Sequence, residues 1–146
     1  KNFKNGMEEG ILIHDLLSDI RYEDDVKLVI ENAYLIGRIN NLEKGYYLKL
    51  LTEVVQHDLL KPYFNKHTTV YNEKEILIPN ESFIRPDRII KVQNHWAIID
   101  YKTGKYNLKH ESQINRYAQI INEMYNEDCK KFLVYINKRI SVKQIS

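Results

Sequence analysis

The chain has 146 residues, 43% of them hydrophobic and 29% charged, a composition typical of one globular domain with a sizeable core. No apolar run approaches the ~18 residues that a membrane-spanning helix needs, and no signal peptide is recognisable, so we expect a cytoplasmic protein without a membrane partner. The single cysteine, Cys129, excludes a disulfide framework and an iron–sulfur cluster, and its place at the start of an apolar run favours a core position over a nucleophile.

The net charge is only +2, but the charges are unevenly distributed. Residues 8–25 carry seven acids and one base, whereas residues 85–109 carry six bases and two acids, and residues 129–146 carry five bases and no acid. Basic segments of this kind favour contact with the phosphate backbone of a nucleic acid, although basic loops are also common simply because they are soluble. Since Lys1 is not a natural first residue, we expect the chain to be a piece of a longer protein.

The first half of the chain is predicted to be helical. Residues 8–22 follow an amphipathic pattern, and His14 lies at the edge of the apolar stripe, where a histidine is more often packed than a ligand. Residues 24–60 carry further apolar stripes that are interrupted near residues 37–41. No recognisable chemistry is found in this second helical stretch.

The second half of the chain mixes strands with one long helix. Besides a central hairpin, the pattern predicts a helix at 107–125 and strands at 68–71, 75–78, 131–137 and 140–145. Glu75, beside one of these strands, is either an additional acid of a site or a solvated strand end. Gln113 and Tyr117 are four residues apart, so both project from one side of the helix. The helix after the hairpin predicts a crossover onto the same sheet, and hence a mixed α/β fold.

The central hairpin consists of two apolar segments, residues 83–92 and 96–101, joined by a polar pair at 93–94. A two-residue loop and a four-residue loop give the same register, in which Asp87 lies directly opposite Asp100. A three-residue loop would break this register. Alternation along the strand is therefore the basis on which the two acids are predicted to meet.

Two opposed carboxylates need a physical explanation. Directly paired residues have Cβ atoms roughly 4.5–5.5 Å apart, and like charges at that position are destabilising. Alternation also places Lys102 on the same face as Asp100. A hard divalent cation held between Asp87 and Asp100 would explain the arrangement. The alternative is a hairpin whose charged ends are solvated.

Four segments, in this order, resemble the motifs of the RecB-type nucleases, which belong to the PD-(D/E)XK superfamily. They are Gly10-Ile-Leu-Ile-His14, Arg85-Pro-Asp87-Arg88, Ile99-Asp100-Tyr101-Lys102-Thr103-Gly104-Lys105 and Gln113-Ile-Asn-Arg-Tyr117-Ala118. Any one of these segments alone is weak evidence for the family. The Asp-Tyr-Lys-Thr-Gly-Lys segment with an upstream Asp and a downstream Gln-x-x-x-Tyr is specific.

The resemblance implies a role for each matching residue. Asp87 and Asp100 resemble the metal-binding carboxylates, and His14 resembles the additional ligand supplied by an N-terminal helix. The backbone carbonyl of Tyr101 would be a further ligand. Lys102 resembles the catalytic lysine that orients or activates the attacking water. The implied ion is Mg²⁺, for which Mn²⁺ could substitute, because Mg²⁺ prefers a few carboxylates together with water and substrate phosphate.

Substrate binding is implied for a second set of residues. Gln113 and Tyr117 resemble the helix motif that frames the site and contacts DNA, and Arg88 and Lys105 are further candidates for binding the substrate. Glu75 matches a looser upstream acidic position. The four cysteines of the iron–sulfur relatives are lacking, so no iron–sulfur cluster is expected.

The implied fold is the PD-(D/E)XK nuclease fold, a central mixed β-sheet flanked by helices with an N-terminal helical segment. We expect one nuclease domain over residues 1–146, with a helical part at about 8–64 and an α/β core at about 67–146. The implied activity is that of a Mg²⁺-dependent, exodeoxyribonuclease V-like DNase in a bacterial helicase–nuclease such as RecB or AddA, acting in double-strand-break repair and recombination.

Partners follow from the same resemblance. The chain has no Gly-x-x-x-x-Gly-Lys-Ser/Thr motif, so the helicase would lie in a preceding portion, and a second helicase–nuclease subunit is an expected partner. Two alternatives stay open at this point. One is a nucleic-acid-binding or assembly module with a nuclease fold and little cleavage, and the other is a stand-alone endonuclease of the same superfamily.

Overall fold

The structure, a computed structural model, describes residues 6–72 and 85–146. The chain divides into two compact units, Lys1–Lys66 and His67–Ser146. Glu75 and the strand predicted at 75–78 lie outside the described residues. In the part of the chain that is described, no helix combines the length and apolar character needed to cross a membrane.

The first unit is helical, as predicted. It contains α1 (Gly6–Ser18), α2 (Val26–Leu35) and α3 (Asn41–Gln56), with 3₁₀ turns at Glu23–Asp25 and Lys61–Tyr63. The predicted interruption is confirmed, because Gly37 after α2 has a φ of +80°, a conformation that glycine adopts without strain. Asn40 then caps α3, since its side chain accepts the Glu43 amide at 2.9 Å and the Glu43 carboxylate accepts the Asn40 amide at 3.0 Å.

The second unit holds a five-stranded sheet and one long helix. Its elements are β1 (Thr69–Asn72), β2 (Arg88–Lys91), β3 (Trp96–Lys102), α4 (Leu108–Tyr125), β4 (Cys129–Ile136) and β5 (Ile140–Ile145). The strands follow the order β1-β2-β3-β4-β5, and only the β3–β4 pair is parallel among these neighbours. This confirms the mixed sheet and the crossover through α4, because parallel neighbours need a connection of that length.

The core of this unit lies between α4 and the face of the sheet that carries Trp96 and Ile98. α4 buries Ile114, Tyr117, Ala118, Ile120 and Ile121. Tyr125 is the last residue of the helix, and it stacks on Trp96 with ring centroids 4.5 Å apart while 48% of its surface stays exposed. Cys129 packs partly against the core, and burial raises the pKa of its thiol to about 12, which makes it a poor nucleophile.

The close packing of α4 on the sheet predicts that a cavity under this helix lowers stability. Ile98→Ala removes a fully buried side chain from the central strand and should lower the free energy of unfolding by about 2–5 kcal/mol. Trp96 is the single tryptophan and lies in the same core cluster, so its fluorescence during urea unfolding reports on this unit. Met124→Ala, at a side chain 56% exposed, should change the value by less than about 1 kcal/mol. Equal losses in the two variants would contradict the described core.

Candidate functional site

The central hairpin has the register that the sequence predicts. The observed pairs run from Arg88 opposite Ile99 to Lys91 opposite Trp96. Asp87 immediately precedes β2, so the same register places it opposite Asp100. The two acids therefore meet where β2 begins and β3 approaches its end, as the alternation argument requires.

Backbone amides connect the two acids across the hairpin. The Tyr101 amide donates to Oδ2 of Asp87 at 2.8 Å, and the Asp87 amide lies 3.5 Å from Oδ1 of Asp100. Each carboxylate thus receives an N–H group from the opposite chain segment. Charge-assisted bonds to backbone amides favour the ionised form of a carboxylate and offset part of the repulsion between the two acids.

Lys102 lies on the same face as Asp100, as expected. Its ammonium nitrogen is 2.7 Å from Oδ2 of Asp100 and donates to Oε1 of Gln113 at 2.8 Å. The Lys102 side chain is 20% exposed and that of Asp100 is 5% exposed. The ion pair is therefore largely removed from water, where an isolated carboxylate would be strongly disfavoured.

The environment of Asp100 disfavours its negative charge despite the nearby lysine. Burial raises the pKa of Asp100 to about 7, with the charge of Asp87 as the second cause, while Lys102 acts in the opposite direction. Oδ2 of Asp100 is buried, and no described residue gives it a hydrogen bond of good angular geometry in addition to the Lys102 ion pair. An additional positive charge next to Asp87 and Asp100 would therefore be strongly favourable.

These observations fit a divalent cation with open coordination positions. No group of three or more His, Cys, Asp and Glu side chains lies together within residues 6–72 and 85–146, so a cage built from protein side chains alone is not described there. Asp87 and Asp100 are brought together, and the Tyr101 backbone is adjacent to both. Mg²⁺ keeps several waters and is commonly held by one or two carboxylates with substrate phosphate, which suits this donor set.

Gln113 and Tyr117, the motif residues of α4, lie beside Lys102 and the two acids. Gln113 bonds to Lys102, and it also hydrogen-bonds the Tyr117 hydroxyl. Burial raises the pKa of Tyr117, and the negative charges of Asp100 and Asp87 act in the same direction. The charges of both acids therefore influence the protonation of the Tyr117 hydroxyl.

Arg88 and Lys105, the other candidates for substrate binding, have opposite environments. Arg88 has no exposed surface, and its Nη1 donates to Oδ1 of Asn72 on the neighbouring strand at 3.2 Å. This burial favours a positioning role beside Asp87 over direct contact with a phosphate. Lys105 is exposed in the connection between β3 and α4, where it is accessible to a substrate.

His14 belongs to the helical unit, and its role as a metal ligand stays a prediction. Its Nδ1 lies 2.9 Å from the Gly10 carbonyl oxygen, so Nδ1 is the nitrogen that carries the proton. That tautomer leaves the lone pair on Nε2, which is the form a metal-binding imidazole needs.

Two residues near the site were not predicted from the sequence. Nδ1 of His110, in the first turn of α4, lies 2.8 Å from the hydroxyl of Tyr135 on β4. Lys102 and Tyr135 are register partners on adjacent parallel strands. His110 precedes Gln113 by one helical turn, and this spacing is the one signal in the sequence that could have identified it.

The raised pKa of Asp100 predicts a pH-dependent stability in the absence of metal. Because of this group alone, the folded chain retains a proton that the unfolded chain releases between about pH 4 and pH 7, so the contribution of Asp100 to stability should fall as the pH rises through this window. Asp100→Asn removes this titration. In EDTA, the variant should lose less stability than the wild type between about pH 5 and pH 7.5, by about 2–3 kcal/mol.

Urea unfolding followed by Trp96 fluorescence at the two pH values measures this difference. Asp128→Asn, at an exposed carboxylate of the same unit, is the matched control and should retain the pH dependence of the wild type. Parallel pH dependences for wild type and Asp100→Asn would contradict the described environment of Asp100.

The sequence pattern of the PD-(D/E)XK nuclease superfamily matches residues 4–143. No match is found among curated proteins. The crystal structure of SSO0001 is similar at 19% identity over 96% of this chain and 78% of that chain, but its TM-score of 0.38 carries no argument about the site. Since the family match spans nearly the whole sequence and the mixed α/β sheet is consistent with it, the chain belongs to the PD-(D/E)XK nuclease superfamily.

Proposed function

We propose that this chain hydrolyses DNA phosphodiester bonds in a reaction that depends on a divalent metal ion, with Mg²⁺ as the working ion and Mn²⁺ as a substitute. The observation that supports this most is the meeting of Asp87 and Asp100 across the hairpin, with the Lys102 ammonium 2.7 Å from Asp100. Superfamily membership supports nuclease activity as the general class. The ion, the substrate and the roles of the residues are the proposed part.

The reaction needs a nucleophilic water and a counter-charge for the phosphate oxygens. Asp87 and Asp100 would hold the metal ion, with the Tyr101 carbonyl and His14 as the further proposed ligands. A bound divalent ion supplies a lowered water pKa and Lewis-acid stabilisation of the phosphoryl oxygens. Asp87 and Asp100 contribute two poorly solvated carboxyl groups at fixed positions, and a cation held between them would favour the ionised form of both.

Lys102 is the residue that we propose to act directly on the reacting groups. Its ammonium is held between Asp100 and Gln113, so its position is fixed before a substrate arrives. From there it can orient the attacking water and stabilise negative charge that develops on the phosphate. The hydrogen bond from Lys102 to Gln113 gives the α4 motif a physical role, since Gln113 helps to aim the ammonium.

The substrate would approach the edge of the site formed by the β3–α4 connection and α4. Lys105 is exposed there, and Gln113 is exposed on the helix. Tyr117 lies deeper, where it can frame the site next to the acids. Arg88 supports this arrangement from the buried side. Glu75 is retained in the proposal as an additional acid.

We also propose a biological setting for this activity. The order and spacing of the His14, Asp87, Asp100–Lys102 and Gln113–Tyr117 motifs favour the exonuclease domain of a RecB- or AddA-like helicase–nuclease in double-strand-break repair. In that setting a helicase portion and a second helicase–nuclease subunit are the partners. A bacterial cytoplasm is the proposed compartment.

The proposed chemistry predicts that three substitutions abolish cleavage. Asp87→Asn, Asp100→Asn and Lys102→Ala should each lower Mg²⁺-dependent degradation of labelled DNA by at least about 100-fold, because each removes an ion ligand or the fixed ammonium. EDTA should stop the wild-type reaction, and added Mg²⁺ or Mn²⁺ should restore it. Lys130→Ala is the matched control, because Lys130 is exposed at the opposite end of β4.

Full activity in all three variants would overturn the proposal. A wild-type chain that binds DNA tightly but shows no metal-stimulated cleavage would instead favour a non-catalytic binding or assembly module with the same fold. The two results are separated by measuring binding and cleavage on the same labelled DNA.

The exonuclease assignment predicts a difference between linear and circular substrates. Because an exonuclease acts from an end, linear DNA should be degraded progressively while covalently closed circles of the same sequence, single- or double-stranded, should survive. Gel electrophoresis of the two substrates incubated together gives the comparison. The control is the same circle after linearisation by a restriction enzyme, which acts directly on the double-stranded circle and at an annealed oligonucleotide on the single-stranded circle. Cleavage of circles as fast as the linear form would favour a stand-alone endonuclease.

A further inference from the structure

His110 and Tyr135 form a polar pair beside Lys102 that the proposed chemistry does not use. The hydroxyl of Tyr135 lies 2.8 Å from Nδ1 of His110, and the two rings have centroids 5.8 Å apart. Tyr135 is 7% exposed and His110 is half-buried. A polar pair at this depth is expected to have a defined hydrogen-bond direction.

The direction of this hydrogen bond can be derived from the available partners. Within the described part of the chain, the Tyr135 hydroxyl has no acceptor other than His110, so it donates its proton to Nδ1. The backbone amide of Asn107 supports this direction, because it lowers the pKa of Tyr135 by bonding to the hydroxyl oxygen. An oxygen that accepts from an amide is free to donate its own proton to an imidazole nitrogen.

The direction fixes the tautomer of His110. When Nδ1 accepts a hydrogen bond, a neutral imidazole carries its proton on Nε2. Burial, followed by the positive charge of Lys102, lowers the pKa of His110, which favours the neutral ring. No residue in 6–72 or 85–146 hydrogen-bonds to Nε2, so the Nε2–H group is a donor without a protein acceptor there.

The surroundings of the pair favour an anion as the acceptor. Lys102 is near enough to His110 to affect its titration, and Lys143 has the same kind of effect on Tyr135. Glu111 offsets part of the Lys143 charge, since the two side chains form an ion pair at 3.3 Å. Lys102 is ion-paired with Asp100, but among the described residues Lys102 is the charge that acts on His110, whereas Asp100 and Glu111 act on Tyr135, whose pKa they raise. An oxygen that carries negative charge is the acceptor that this environment suits best.

We propose that His110 is a substrate-binding residue whose Nε2–H donates to a non-bridging oxygen of a DNA phosphate, and that Tyr135 is a positioning residue that sets the tautomer needed for this bond. The inference rests on the proposed DNA hydrolysis and names a further contact of the same site. The phosphate bound by His110 lies on the α4 side of Lys102. The contacts of His110 and Lys102 with the DNA would then fix one stretch of its backbone relative to the reacting bond.

Substitutions that move the donor between the two nitrogen positions test the proposal. His110→Gln places an amide near the position of Nε2, whereas His110→Asn places one near Nδ1 and leaves the Nε2 position empty. The dissociation constant of a short fluorescein-labelled DNA is measured by anisotropy, with Ca²⁺ as the divalent ion, and KM and kcat are measured with Mg²⁺. We expect His110→Asn to raise both the dissociation constant and KM by about 10- to 100-fold, because it loses a hydrogen bond to a charged oxygen. His110→Gln should stay within about threefold of the wild type.

Two further measurements separate this role from a structural one. Tyr135→Phe keeps the ring and releases the tautomer, so it should weaken DNA binding by about two- to tenfold without a matching change in thermal stability. DNA with uncharged methylphosphonates introduced one position at a time should bind more weakly to the wild type at the contacted phosphate. At that position His110→Asn should show no further loss, because the same bond is already missing.

Equal losses in His110→Asn and His110→Gln, or unchanged binding in His110→Asn, would overturn the inference. A wild-type chain that cleaves DNA while His110→Asn binds normally would remove this contact and leave the proposed function intact. A wild-type chain that binds DNA without cleaving it would remove the proposed hydrolysis, and the comparison of His110 variants by binding would still decide this contact. Gln119→Ala, at an exposed residue of the same helix, is the control and should bind like the wild type.

Discussion

The electrostatic repulsion between Asp87 and Asp100, which the sheet holds opposite each other, is the physical constraint that determines the chemistry of this unit. Asp87 and Asp100 cannot separate, because the antiparallel pairing of β2 and β3 fixes them opposite each other. Backbone amides and the Lys102 ammonium offset part of the repulsion, yet the pKa of Asp100 remains raised to about 7. The fold therefore keeps an arrangement that is unfavourable by itself and that a bound cation would make favourable, which is typical of functional sites.

The sheet topology brings distant parts of the sequence to this pair. β3 lies in the centre of the sheet, and its C-terminal end carries both Asp100 and Lys102. The parallel pairing of β3 with β4 requires a crossover, and α4 supplies it, so Gln113 and Tyr117 arrive beside the end of β3. Open α/β sheets commonly bind ligands outside the carboxyl ends of their strands, and the same geometry explains why Tyr135, near the end of β4, lies next to His110.

The parts of the site that were predictable depend on local periodicity. The two-residue repeat of strands was enough to place Asp87 opposite Asp100 and Lys102 on the same face, and the helical repeat placed Gln113 and Tyr117 together. The bond between His110 and Tyr135 was not predictable, because it joins segments 25 residues apart and depends on how α4 lies on the sheet. The burial of Arg88 was missed for a similar reason, since one basic residue in a basic segment gives no sign of which face it occupies.

In the short connection between β2 and β3, the number of residues determines which face of the sheet Asp87 occupies, and the identity of those residues matters less. Ile89 and Ile90 are both buried and apolar, so either face of β2 can satisfy a core. Gain or loss of one residue between the strands would move Asp87 to the other face of the sheet without exposing an apolar strand. Single-codon insertions and deletions there provide a genetic route by which a relative could keep this fold and lose the pairing of the two acids, and with it the proposed metal site. Relatives without cleavage are therefore expected to differ by odd numbers of residues in this connection more often than by even numbers, which a comparison of hairpin lengths can check.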